Sequence, residues 1–128
     1  VSDHYADDIT REVRRLTARR GVDVVVEHVG QATWAKSVRS LAPGGRLVTC
    51  GNTTGWDAAI DLRFLFSRQL SLLGSYMGTK AELLQAAPLF FEGRLRPLVD
   101  AVLPLEAAAD AHRRLEAGDV SGKLVLTP

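Results

Sequence analysis

Three short segments carry the residue types best suited to hold a ligand. They are Val29-Gly30-Gln31, Gly51-Asn52-Thr53 and Gly74-Ser75-Tyr76. Each follows an apolar run with the character of a buried strand: "VDVVVEHVG" (22–30), "RLVTCG" (46–51) and "QLSLLGSYMG" (69–78). In parallel α/β sheets, ligands sit beyond the carboxyl ends of the strands. A glycine there lets a flat ligand lie against the main chain without meeting a Cβ. Turns also need glycine, so one instance says little. Three at the same edge of one sheet point to a ligand platform.

Other chemistry is poorly represented. His28 stands at the tip of the first strand, but Glu27 points to the opposite face and no second metal ligand is evident, so no zinc role is expected. His112 shares a helix face with Ala108 and Leu115 and reads as a packed or half-exposed histidine. Cys50 is the single cysteine and is expected to be a buried structural thiol. A lone thiol makes no internal disulfide, which suits a cytoplasmic protein. Tyr5, Trp56 and Tyr76 could stack on a base, though Tyr5 and Trp56 suit a surface or interface equally well. Lys123 reads as a solvated residue at a strand start. No catalytic residue is assigned.

The elements that position the three segments alternate in type. Helical spacing runs over 7–20 (Ile9, Val13, Leu16) and stops at Gly21. It returns over 32–42, with Trp34, Val38 and Leu41 on one face, and ends at Pro43-Gly44-Gly45. A short helix is expected over 61–67. Thr79 with Glu82 three residues on forms a capping box for a helix running toward Gly93, which Pro88 is expected to bend or split. An extended segment (98–105), a helix (106–118, closed by Gly118) and a last strand (123–127) complete the chain. This order implies right-handed parallel crossovers.

Composition narrows the function classes. The chain has 128 residues, enough for one domain, and 46% are hydrophobic, enough to bury a core. A formal net charge of +1 argues against a nucleic-acid partner. "REVRRLTARR" (11–20) is the only basic run and reads as a solvated helix face rather than a phosphate grip. No segment has membrane-spanning length and no signal-peptide pattern opens the chain. Neither G-x-G-x-x-G nor G-x-x-x-x-G-K occurs. A dinucleotide fold needs that loop at its first strand. The chain also opens on Val1 rather than Met, and it is expected to be part of a longer protein.

The blocks "GVDVVVEHVGQATWAKSVRSLAPGGRLVTCGNTTG", "DLRFLFSRQLSLLGSYMGT" and "GRLRPLVDAVLPLEAAADAHRRLEAGDVSGKLVLTP" resemble the C-terminal part of the medium-chain dehydrogenases/reductases. That superfamily holds the zinc alcohol dehydrogenases and the zinc-free quinone oxidoreductases. The resemblance implies an α/β fold: the second half of a doubly wound parallel Rossmann sheet (strands 4, 5 and 6) over 1–79. A helix-strand-helix-strand segment of the catalytic domain would follow over 80–128. It implies NAD or NADP as the parent enzyme's cofactor and a carbonyl, alcohol or enone substrate. It further implies a homodimer joined through strand 70–76. Zinc in the parent would be bound by residues other than these. Val29 and Gly30 would lie near the riboses, Gly51, Asn52 and Thr53 near the nicotinamide, and Ser75 and Tyr76 near the carboxamide. His4 falls where relatives often carry a tyrosine beside the adenosine. The chain alone is expected to be inactive. Two alternatives remain: a non-catalytic structural or interaction piece, and a methyltransferase-like domain binding S-adenosylmethionine, which "LAPGGRLV" resembles. Such domains close on an antiparallel hairpin, and 95–118 does not read as one.

Overall fold

A computed structural model describes residues 8–128, so the readings at His4 and Tyr5 fall outside the described residues. The chain divides into two compact units, 1–77 and 78–128.

The first unit carries the helices α1 (Ile9–Leu16), α2 (Trp34–Ser40) and α3 (Leu62–Ser67) and the strands β1 (Val22–Glu27), β2 (Leu41–Thr49) and β3 (Ser71–Gly74). The strands form one parallel sheet in the order β1-β2-β3. Asp8 starts α1 and Asp61 starts α3, each carboxylate accepting the N–H two residues on. Register places Val25, Leu47 and Leu72 side by side on one face of the sheet. That face meets α2 and α3 in a core of Val38, Leu41 and Leu47, with Val25, Trp34, Ile60, Phe64, Leu70 and Leu72 packed around it. Leu41 and Leu47 are fully buried, which is worth about 1.5–3 kcal/mol for each side chain.

The other face carries Val24, Val26 and Leu73, all exposed. This uncovered face explains where Cys50 lies. The sequence suggests a buried thiol, yet Cys50 is exposed. It follows the last residue of β2 by one position, on the side that no helix covers. Strand β2 also begins five residues earlier than its apolar run suggests. Leu41 pairs with Val22, and the Pro43-Gly44-Gly45 breaker is absorbed as an irregularity in the ladder rather than as a loop.

The second unit holds α4 (Lys80–Phe91), β4 (Val99–Pro104), α5 (Ala108–Glu116), entered through a 3-10 turn, and β5 (Lys123–Thr127). The capping box forms as the sequence indicates: Glu82 donates its N–H to the Thr79 hydroxyl and accepts the Thr79 N–H at 2.7 Å. Pro88 does not split α4, which runs unbroken to Phe91. Strands β4 and β5 pair in parallel. Asp100 ties β4 to the turn before β5, accepting from Arg114 at 2.7 Å and from the Ser121 N–H at 3.2 Å. His112 is exposed rather than packed.

Candidate functional site

Because β1, β2 and β3 are parallel neighbours, the loops after them stand in a row at one end of the sheet. Glu27, the last residue of β1, organises the first loop. Its side chain is 3% exposed, and a carboxylate so placed must be satisfied or neutralised. Four donors meet it. The Val29 N–H donates at 2.8 Å, the Gly30 N–H at 3.1 Å and the Thr33 hydroxyl at 2.9 Å. The Ser37 hydroxyl is the fourth. Burial pushes the Glu27 pKa up, but these bonds to the charged form outweigh it, and the carboxyl is held below its ordinary range. The charge also lies at the start of α2, where a helix favours an anion.

The second loop is clasped to the first. The Thr54 N–H and hydroxyl both donate to the Val29 carbonyl at 2.8 Å. The same hydroxyl accepts the Ala32 N–H at 3.0 Å. The Gln31 N–H reaches the Gly55 carbonyl at 3.2 Å, and the Thr53 hydroxyl reaches the His28 carbonyl at 3.3 Å. Each such bond contributes about 0.5–1.5 kcal/mol net, so the loops form one unit.

This clasp changes the reason for two of the three glycines. A Cβ on Gly30 would come within 2.6 Å of the Gly55 carbonyl oxygen, and Gly30 has a positive φ besides. A Cβ on Gly51 would lie 2.8 Å from the His28 carbonyl oxygen, while Gly51 itself needs no left-handed backbone. Loop-on-loop contact therefore demands both residues, with or without a ligand. Gly74 differs: a Cβ there meets nothing within 4 Å. The third loop leaves β3 with the Ser75 N–H on the Thr49 carbonyl at 2.9 Å. Tyr76 is 92% exposed.

The structure thus brings Val29, Gly30, Gly51, Asn52 and Thr53 into one clasped pair of loops, with Ser75 and Tyr76 beside it. Among the described residues, the side chains of Asn52, Ser75 and Tyr76 make no hydrogen bond. They remain available to a ligand at this edge. Glu27 and Thr54 are the residues sequence reasoning missed. The available signal was a lone carboxylate ending a β-branched run, with hydroxyls six and ten residues later. Among the described residues, no group of three His, Cys, Asp or Glu side chains could hold a metal.

Residues 1–126 match the family described as zinc-binding dehydrogenase. The chain belongs to that family. It forms the C-terminal part of the medium-chain dehydrogenase/reductase pattern. A crotonyl-CoA reductase of Streptomyces collinus is 34% identical over 92% of this chain and 27% of its own. The crystal structure of an NAD-dependent alcohol dehydrogenase superimposes with a TM-score of 0.82 at 43% identity, covering 94% of this chain and 35% of that one. A crotonyl-CoA carboxylase/reductase solved with NADP gives 0.79 at 29% identity, covering 92% and 30%. The chain therefore spans about a third of the length of the relatives it matches. These relatives are oxidoreductases, and the parallel α/β sheet is the one they share.

The buried carboxylate gives this chain a defined acid response. With its folded pKa lowered from the ordinary 4.5, Glu27 adds stability that is fully present above about pH 4.5. That stability is lost as pH falls through the lowered value. In Glu27→Gln, the expected outcome is a loss of about 1–3 kcal/mol at pH 7 and a flatter stability profile below pH 4.5. Urea denaturation of both proteins from pH 3 to pH 7 tests this. Parallel profiles would show that Glu27 does not carry the dependence.

Proposed function

We propose that this chain is the C-terminal portion of an NAD(P)-dependent medium-chain oxidoreductase. Residues 1–79 would be the second half of its cofactor domain, and 80–128 would belong to its catalytic domain. The observation that carries this reading is the row of loops with space above Gly74 and unpaired polar side chains at Asn52, Ser75 and Tyr76. The relatives' descriptions as NAD-dependent and NADP-bound proteins support the same cofactor class.

A bound nicotinamide would supply the hydride for reducing a carbonyl or activated alkene, or accept one from an alcohol. The chain's own residues would bind and orient it. The clasped first loop would hold Val29 and Gly30 near the riboses. Gly51, Asn52 and Thr53 would border the nicotinamide, and Ser75 and Tyr76 its carboxamide. Glu27 acts one step back as a positioning residue, because it fixes the Val29 and Gly30 backbone. Zinc in the parent would be bound by residues other than these.

The free edge of β3 supports a homodimer through 70–76, where Leu73 and Tyr76 are exposed. Light scattering of the enzyme is expected to give twice the protomer mass. A monodisperse protomer would remove this part of the proposal.

Glycine substitutions separate cofactor contact from folding. At Gly51, a branched side chain must displace the His28 backbone, so Gly51→Val is expected to lower both melting temperature and cofactor affinity. Gly74→Val has no such conflict. It is expected to weaken NAD(P)H binding by about tenfold or more, a loss of about 1.4 kcal/mol, because the branched side chain would fill the open space this reading gives to the cofactor. Its melting temperature is expected to stay within about 2 °C of the parent's. Fluorescence titration with NADH and NADPH and a thermal melt on the same samples decide. Unchanged affinity in Gly74→Val would remove the third loop from the cofactor site.

A further inference from the structure

The opposite end of the sheet carries a feature that the cofactor reading does not use. Where β1 and β2 begin, a pocket of about 260 Å³ is lined by Arg14, Arg19, Arg20, Arg39 and Arg68. Its remaining wall is Gly21 and the fully buried Leu41. These arginines come from four places in the sequence: the last turn of α1, the turn after it, the last turn of α2 and the end of α3. The sequence alone suggests a solvated basic helix face over 11–20. The fold gathers three arginines of that exposed run with two from elsewhere.

Helix C-termini attract cations, so some of this charge has a structural role. The magnitudes leave an excess. Each helix end supplies about half a negative charge, and α1, α2 and α3 all end here, giving about one and a half. Asp23 adds one carboxylate, paired with Arg20 at 3.0 Å. Against five guanidinium groups, an excess of about two and a half positive charges remains among the described residues. Among the described residues, Arg14, Arg19 and Arg39 have no carboxylate partner.

Two observations show that part of the cluster is held in place. Arg68 stacks on Phe64 with its guanidinium 4.8 Å from the ring centre and donates to the Leu41 carbonyl at 2.6 Å. Its Nε is shut away from solvent without an acceptor. Ala18 and Arg19 both adopt left-handed backbone, a costly conformation for residues with a Cβ, in the turn that delivers Arg19 and Arg20. Gly21 closes that turn against β2, where a Cβ would meet the Ala42 nitrogen at 2.7 Å.

We infer that this pocket binds a compact, multiply charged phosphate chain, either a free polyphosphate or the phosphate tail of a nucleotide. Guanidinium forks match phosphoryl oxygens in pairs, and several forks around a small volume suit an anion with two or three adjacent phosphoryl groups. The volume is below the usual range for a drug-sized ligand, which places the recognition on the phosphates. This site stands apart from the loops at the other end of the sheet, and failure of either reading leaves the other intact.

Calorimetric titration of the full chain with tripolyphosphate and with ATP, at matched ionic strength, tests it. Saturable one-to-one binding of tripolyphosphate is expected. Equal affinity for ATP assigns the site to the phosphate chain alone, and tighter ATP binding assigns a nucleotide source; both support the site. Arg39→Gln, which removes no observed hydrogen bond, is expected to weaken binding at least tenfold. Arg46→Gln removes the same charge outside the pocket and is expected to change it less than twofold. Unaltered melting temperatures in both variants confirm that they fold. Absence of saturable binding, or equal weakening in the two variants, would overturn the inference. Binding only to long polyanions such as heparin or RNA would overturn it as well.

Discussion

A carboxylate sealed from water can keep its charge only while donors surround it, and Glu27 imposes that requirement on everything at the carboxyl end of the sheet. Two of its donors are main-chain N–H groups, so the requirement fixes backbone as well as the Thr33 and Ser37 side chains. The Val29–Gly30 turn can take few other shapes. The second loop then closes on that turn through Thr54, and the approach leaves no room for a Cβ at Gly30 or Gly51. Two loops become a rigid shelf beside a third loop that stays open. Rigidity on one side and space on the other suit a site that must orient a flat ring.

The sheet is polarised in a second way. One face is sealed by α2 and α3, while Val24, Val26 and Leu73 lie open on the other. Parallel sheets are stable when both faces are covered. In our reading, the remainder of the enzyme supplies that cover, which would also pair the free edge of β1. The two ends differ in charge as well. Arginines crowd the end where the strands begin, whereas the end where they finish holds the buried Glu27 carboxylate ringed by backbone and hydroxyl donors.

Much of this architecture was legible in the sequence, because it rests on local signals. A near-continuous β-branched run gave β1, the apolar run over 69–78 gave β3, helical spacing gave α2, and the Thr79–Glu82 pair marked the start of α4. What was missed depends on contacts distant in sequence. Cys50 sits in an apolar run, but its burial depends on which sheet face receives a helix. Pro88 lies inside a helix that continues past it to Phe91. The glycines were found for their position, yet their cause differs. Gly30 and Gly51 answer to a neighbouring loop, and only Gly74 faces open space. Glu27 was noticed only as a poor metal ligand, since its four donors come together only when the loop has folded. The arginine pocket was invisible for the same reason.

The central claim is that the three loops together form a nicotinamide-cofactor platform. Backbone amide chemical shifts of the full chain, followed while NADH is added to millimolar concentration, test it most directly. Even weak contact registers in such shifts. The account predicts saturable changes at residues 51–53 and 74–77, with none along α5 or β5. Saturable changes confined to other surfaces, with residues 74–77 unmoved, would contradict it.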